Sequence, residues 1–374
     1  MPLDGWKERL FRRYLLYKCR EERVRRHLRS RVKKLPAPDP GDGRRVRAAA
    51  VQVEIKLFKE PLDYVEEMHR LTLEAVEAGA QLIVFPEDNN LPLLGMLPGV
   101  EEAGKAVIPG DGEAPKKEPE ITVTDVIRYV GPVVRPLIHT IFSTLARWYR
   151  VYIMAGSYLL PEGDRVMNRA ILYGPDGSFI GKQDKVHLMP IEKEWGISRG
   201  SKLEVFPTPL GKLAFPVCMD ATYFETFRIL EKQGAEIVMI PIANPEPYNY
   251  WLALRGIWPR VQEAPVYGIK SALVGRVLGF EFTGRAGVFA PMELTPRGDG
   301  VLAELESPGK EGIAVADLDL EALQELRRNH PWRDSNEQLY QRYFSHLYQL
   351  YPYREAPPGA ASPRPSSPGA VPGS

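Results

Sequence analysis

The apolar positions of this chain alternate between short strand-like runs and stretches at helical spacing, and that alternation sets the expected elements. Val46–Ile55, Gln81–Phe85, Val151–Leu159 and Asn168–Tyr173 read as strands. Gly174-Pro175-Asp176-Gly177 is a turn, and Ser178–Gly181 returns from it as another strand. Val205–Pro207 and Lys212–Val217 flank a turn at Pro209-Leu210-Gly211, and Glu236–Ile240, Gly268–Val277, Ala286–Ala290 and Gly312–Asp317 add four strands. Tyr64–Ala78 carries Val65, Met68, Leu71, Leu73 and Val76 at helical spacing and stops at Gly79. Phe224–Gln233 and Glu321–Arg328 are further helices. Interleaved strands and helices with several hairpins predict a mixed α/β or α+β sandwich with helices covering the sheets.

Three segments break the pattern. In residues 1–40, Leu10, Tyr14, Tyr17, Val24 and Leu28 form one stripe interrupted by Glu21, arginines fill the other faces, and Pro36–Pro40 stop the helix. Residues 1–34 hold 13 Lys/Arg against 4 Asp/Glu, a local +9 in a chain of net +1. This basic amphipathic arm is expected to pack on its own body or on a sister subunit; an anionic membrane surface is the next reading, and nucleic acid is not expected, because no recognised module accompanies the charge. The second segment, 95–147, opens with a Gly-, Pro- and charge-rich loop and continues as an apolar helix over Ile121–Arg147, broken by Pro132 and Pro136. It follows Glu87 closely and either roofs a site there or simply packs on the body. The third, residues 355–374, is Pro, Gly, Ser or Ala at 17 of 20 positions and is expected to be disordered.

Composition narrows the class. At 374 residues, 44% hydrophobic and 26% charged, the chain has enough apolar material for one large or two moderate domains. Two cysteines, Cys19 and Cys218, cannot build a disulfide framework, and the longest uncharged stretch, Asn89–Val100, is too short to span a bilayer. A soluble, cytoplasmic protein is expected. Neither His-x-x-x-His nor a Cys-x-x-Cys pair occurs, so no metal site is expected.

Three strand-like runs end in reactive groups: Gln81–Pro86 in Glu87, Gly181–Asp184 in Lys185, and Lys212–Val217 in Cys218. A buried cysteine is most often an apolar filler. Cys218, however, stands where a strand gives way to a helix beginning near Tyr223 or Phe224, so it points into the cleft at the carboxyl ends of strands, near helical N–H groups that favour a thiolate. A cysteine nucleophile needs a base. His187 lies two residues beyond Lys185 and is set aside on strand geometry, which leaves Glu87 as proton acceptor and Lys185 as the cation for a developing oxyanion. Taken singly, Glu87 and Lys185 read equally well as a solvated carboxylate and a solvated cation.

Phe85-Pro86-Glu87, Lys185-Val186-His187-Leu188 and Cys218-Met219-Asp220 resemble, in order and separation, the three signatures of the nitrilase superfamily of carbon–nitrogen hydrolases. Ala49-Ala50-Val51-Gln52, Gly234–Val238 with Pro241, and Arg260-Val261-Gln262-Glu263 are similar to flanking segments of that family. The resemblance covers roughly Arg47 to Tyr340 and implies a catalytic domain over 44–350. It implies a four-layer αββα sandwich with Glu87 as general base, Lys185 as oxyanion cation, Cys218 as nucleophile, Glu192 of Pro190-Ile191-Glu192 as a fourth member and the Met219 N–H at the oxyanion, with Glu194 as the fallback for Glu192. No cofactor is implied, and homo-oligomers are common. The implied substrate is a small amide, with nitrile and carbamoyl compounds as alternatives; Cys-Met-Asp and Pro-Ile-Glu resemble the amidase and carbamoylase branches more than the nitrilases proper. The flank Asp220–Glu225 lacks the arginine frequent after the nucleophile, leaving Arg255, Arg260 and Arg276 as candidates for a substrate carboxylate. Pocket walls are expected from Leu91–Arg147 and Asn244–Trp258. A different class is a binding module that keeps the triad without turnover.

Overall fold

A computed structural model of the chain describes residues 5–36, 44–102, 122–329 and 336–350. Strand β1 (Arg45–Glu54) organises it. Along one edge β1 pairs antiparallel with β13 (Gly312–Asp319), from Arg45 opposite Asp319 to Gln52 opposite Gly312. Ala48–Ala50 also pair in parallel with β2 (Leu82–Val84), whereas Gln52–Glu54 pair in parallel with β9 (Tyr267–Val277). This change of partner joins two halves. The first continues from β2 through β3 (Tyr152–Glu162) and β4 (Arg165–Tyr173) to β5 (Phe179–Asp184). The second runs from β9 through β8 (Ile237–Ile242) and β7 (Gly211–Ala214) to β6 (Phe206–Thr208). Three shorter strands, β10 (Phe280–Phe282), β11 (Gly287–Phe289) and β12 (Val301–Glu304), adjoin β9 directly or through β11.

Strands of the first half are buried on both faces, because each face meets a different layer. Ala49, Val51, Ile83, Phe85, Ile153 and Ala155 pack against helices α3 (Pro61–Glu77) and α4 (Val123–Tyr149). Their neighbours Ala48, Ala50, Leu82, Val84, Tyr152 and Met154 face the second half. Helices α6 (Phe224–Lys232), α8 (Trp258–Glu263) and α9 (Leu320–Asn329) cover that half, giving the αββα order. The described residues as far as Arg327 form one unit, and α10 (Glu337–Leu350) lies in a second.

Two expectations are corrected. Pro132 and Pro136 do not break α4, which runs unbroken over 27 residues. Both prolines are exposed, on the side opposite buried Val130, Val133, Val134 and Leu137, so packing of the apolar stripe holds the helix together and the carbonyls that lose a partner face water. The basic arm is two helices, α1 (Gly5–Lys18) and α2 (Glu21–Arg29), broken at extended Arg20 (φ −54°, ψ 134°). Glu21, which interrupts the stripe, opens α2, where acidic residues suit the helix dipole. Val24 and Leu28 of α2 are buried in the helical core, but Leu10, Tyr14 and Tyr17 of α1 are exposed. The arm lies on its own body: Lys18 pairs with Glu60 at 2.7 Å, Lys33 with Glu77 at 2.8 Å, and Arg25 Nη1 donates to Thr144 Oγ1 at 3.1 Å. The expected insertion lies in part, at residues 103–121, outside the described residues, as does the tail 355–374. No helix among the described residues is long and apolar enough to cross a membrane.

Candidate active site

Strand ends bring the reactive residues together. Glu87 follows β2, Lys185 follows β5, Cys218 follows β7, and Ala243-Asn244 follow β8. Gly156 (φ 84°) makes room at the first of these, since a Cβ there would collide with the Pro86 carbonyl oxygen. Lys185 Nζ donates to Glu87 Oε1 at 2.8 Å and to Glu192 Oε2 at 2.6 Å. Asn168 Nδ2 bridges the same carboxylates, at 2.9 Å from Glu87 Oε1 and 3.0 Å from Glu192 Oε1. Ala243 N–H donates to Glu87 Oε2 at 2.9 Å, and Met189 N–H to Glu192 Oε2 at 2.8 Å. Glu87, Lys185, Glu192 and Cys218 are all buried. Thus the four side chains singled out by sequence converge, and Glu192, on the short helix α5 (Pro190–Glu194), is the one in contact with Lys185 rather than Glu194.

Burial decides the protonation states. It pushes the Glu87 carboxyl above its ordinary value, and Lys185 only partly opposes this. It pushes the Cys218 thiol well above its ordinary value; the Glu87 carboxylate adds to the rise and Lys185 opposes it. For Lys185 burial pulls the other way, but Glu87, Cys218 and Glu192 outweigh it and hold the ammonium well above its usual range. Burial and Glu87 thus favour the thiol over the expected helix-stabilised thiolate; α6 begins at Phe224, as expected, and Cys218 itself opens a one-turn 3-10 segment ahead of it. Cys218 has φ 45°, a left-handed conformation costing about 1–2 kcal/mol, and its Sγ donates to Asn244 Oδ1 at 3.6 Å.

Asp220 holds that turn in place. Its carboxylate accepts from Val217 N–H at 2.9 Å, His187 N–H at 2.7 Å and Val186 N–H at 3.1 Å, tying the cysteine turn to the segment after Lys185. His187 completes the clamp through Nδ1, 3.0 Å from Asp220 Oδ1, and stacks on Tyr223 with ring centroids 4.1 Å apart. Asp220→Asn would place an amide NH₂ among converging N–H donors. We expect it to cost about 3 kcal/mol in urea melts and to lower kcat on the order of 10²-fold by displacing Sγ. An unchanged kcat in the folded variant would remove Asp220 from the positioning of Cys218.

Asn168, Ala243 and the role of Asp220 were not anticipated, whereas Asn244 falls in a segment expected to wall the pocket. Asn168 had a signal, a lone amide inside the apolar strand β4. Of the arginine candidates, Arg260 is spent on the carbonyls of Ala221 and Thr222, and Arg276 pairs with Glu281 on the surface, which leaves Arg255 at a pocket mouth. Two cavities meet the buried group. An apolar one of about 180 Å³ is lined by Leu94, Ile127, Val130, Trp195 and Phe280, so the start of α4 walls it. The other, of about 110 Å³, has Cys218, Asn244, Tyr248 and Lys270 in its wall.

The model of the family described as "Carbon-nitrogen hydrolase" matches residues 47–328. The chain belongs to that family. The chain is 28% identical over 290 residues to a probable hydrolase of Bacillus subtilis, covering 76% of this chain and 52% of that one, so it spans about half of that relative. It is 27% identical over 300 residues to a nitrilase of Pyrococcus abyssi, covering 79% and 99% of the two chains, and 26% identical over 297 residues to an omega-amidase of Danio rerio, covering 76% and 92%. Among solved structures, a carbon–nitrogen hydrolase from Helicobacter pylori superposes with TM-score 0.61 at 23% identity, over 80% of this chain and 98% of that one. An amidase from Nesterenkonia sp. gives 0.57 at 21%, over 80% and 97%. These likenesses bear out the four-layer nitrilase-type sandwich.

Proposed function

We propose that this carbon–nitrogen hydrolase cleaves a small amide through a thioester on Cys218, releasing ammonia or an amine. The observation that carries the reading is the single ammonium of Lys185 clasped between Glu87 and Glu192, with the buried Cys218 at the same set of strand ends. Glu87 takes the Sγ proton as sulfur attacks the carbonyl carbon. The carbonyl electrons move to oxygen, and that oxyanion meets Lys185 Nζ and the Met219 N–H. Glu87 returns its proton to nitrogen as the C–N bond breaks, leaving the acyl group on sulfur. Water then gives a proton to Glu87 and attacks the thioester, the C–S bond breaks, and Glu87 reprotonates the thiolate as the carboxylic acid leaves. Glu192 holds Lys185 in place together with Glu87, and Asn168 Nδ2 bridges the two carboxylates.

The buried Glu87 carboxyl, pushed above its ordinary value by desolvation, supports the amide reading, since an amine departs only once protonated and a weaker acid more readily carries the thiol proton to it. Nitrile hydrolysis is the second reading, because both a nitrilase and an omega-amidase are among the relatives. The test is ammonia release across matched amides, nitriles and carbamoyl compounds, with products identified by mass. Amides should show the largest kcat/KM. Turnover of nitriles alone would overturn the amide reading, and silence over the whole panel would favour a binding protein on this fold.

A further inference from the structure

Helix α1 has two long faces, and the fold uses one of them. Phe11, Leu15 and Cys19 pack against the helical core, and Lys18 on the same side pairs with Glu60 at 2.7 Å. At about 3.6 residues per turn, Leu10, Tyr14 and Tyr17 share a stripe on the outer side, with Trp6 one turn ahead of Leu10. Leu10 is 60% exposed, Tyr14 48% and Tyr17 55%. A single exposed leucine is ordinary on a folded protein. A row of large apolar side chains along one helix is a patch that needs a partner.

The charge beside that stripe says which partner. Gly5–Lys18 holds five Lys/Arg against the single acid Glu8. Arg9, Arg12 and Arg13 are exposed next to the stripe and form no ion pair among the described residues. The bend at Arg20 divides the arm in this respect. On α2 and just beyond it, Arg25 meets Glu21, Arg31 meets Glu66 and Lys33 meets Glu77. The cations of the packed segment are thus answered by acids of the body or of the arm, and those of α1 are left for an outside anion.

A second copy fits this face poorly, because α1 against α1 brings arginines onto arginines. A nucleic acid supplies phosphates but no apolar layer for Leu10 and the half-exposed Leu16. An anionic bilayer supplies both. Tyrosine and tryptophan carry an apolar ring and a polar tip that suit the headgroup region, and guanidinium groups match lipid phosphates. We propose that α1 is an interfacial helix that holds the protein on an anionic phospholipid surface. Leu10, Tyr14 and Tyr17 enter the headgroup layer, and Arg9, Arg12 and Arg13 meet the phosphates.

The test is flotation of the full chain with vesicles of phosphatidylcholine alone and of phosphatidylcholine with phosphatidylglycerol in equal parts. Two variants are compared, Leu10→Ser with Tyr17→Ser and Arg12→Gln with Arg13→Gln, each checked for folding by urea melts. The expected result is flotation with the anionic vesicles only, weakened by added salt. Each variant should lower the partition coefficient about tenfold or more. No flotation with anionic vesicles, equal flotation with both lipids, or an unchanged partition coefficient in either variant would overturn the proposal. The comparison of the two lipids keeps it falsifiable even where a variant does not fold. Sedimentation without lipid separates the other occupants. A fall in mass for Leu10→Ser with Tyr17→Ser would assign the face to a second copy and overturn the proposal; an unchanged mass supports it. Retention of a single-stranded oligonucleotide without vesicle flotation would assign the charge to nucleic acid and overturn it as well.

Discussion

Replacing Cys218 by alanine is expected to lower kcat/KM about 10⁴-fold or more while changing stability by no more than about 1 kcal/mol. The chemistry has no other thiol, since Cys19 is buried in the helical core away from the site. Structurally, little is lost. Alanine adopts the φ of 45° at the same cost as cysteine, and the hydrogen bond that Sγ gives to Asn244 Oδ1 is a long one at 3.6 Å. Parallel urea melts and steady-state rates check both halves of the statement. A large stability loss would mean that Cys218 is a packing residue first. The same chemistry fixes the acid side of the pH profile. Glu87 must be ionised to take the thiol proton, and burial holds it above its ordinary 4.5. The acid limb of kcat/KM should therefore lie above pH 4.5, with an apparent pKa belonging to the coupled Glu87–Cys218–Lys185 set.

Lys185→Met is expected to damage activity and stability together. Loss of the cation at the oxyanion should lower kcat on the order of 10³-fold. Glu87 and Glu192 would then face each other across Asn168 Nδ2 with no counter-charge. Breaking a buried pair in this way costs roughly 3–5 kcal/mol, and the pair relieves part of that cost by keeping a proton. The sign with pH follows. In the variant the folded carboxyl pair holds a proton that the unfolded chain releases near 4.5, so the native state binds more protons and stability falls as pH rises. The melting temperature deficit relative to the unaltered chain should be small near pH 4 and grow through pH 5 to 8. A deficit independent of pH would mean that Lys185 does not balance these carboxylates.

Much of this site was legible because its reactive groups close strand-like runs. Glu87, Lys185 and Cys218 each stand just beyond a strand, and parallel strand ends are where the two halves leave a crevice. The sheets were legible from short, nearly continuous apolar runs bounded by turn residues, because the central strands are buried on both faces. What was not legible depended on tertiary contact. Pro132 and Pro136 read as breaks, because local hydrogen-bond loss is visible in sequence and the packing that overrides it is not. Leu10, Tyr14 and Tyr17 shared a stripe with Val24 and Leu28 only if one helix ran through Cys19-Arg20, and the bend there turns the first group outward. Asn168 and Asp220 act by bridging segments 81 and 33 or more residues apart in the chain, a reach that no local pattern records.

The central claim is that the acyl group passes through Cys218. The most direct measurement is intact mass of acid-quenched enzyme taken during turnover of an amide, paired with ammonia release. The predicted result is a mass increase equal to the acyl group, located on the peptide bearing Cys218, together with loss of both adduct and ammonia release in Cys218→Ala. Ammonia release by Cys218→Ala at the unaltered rate would contradict it.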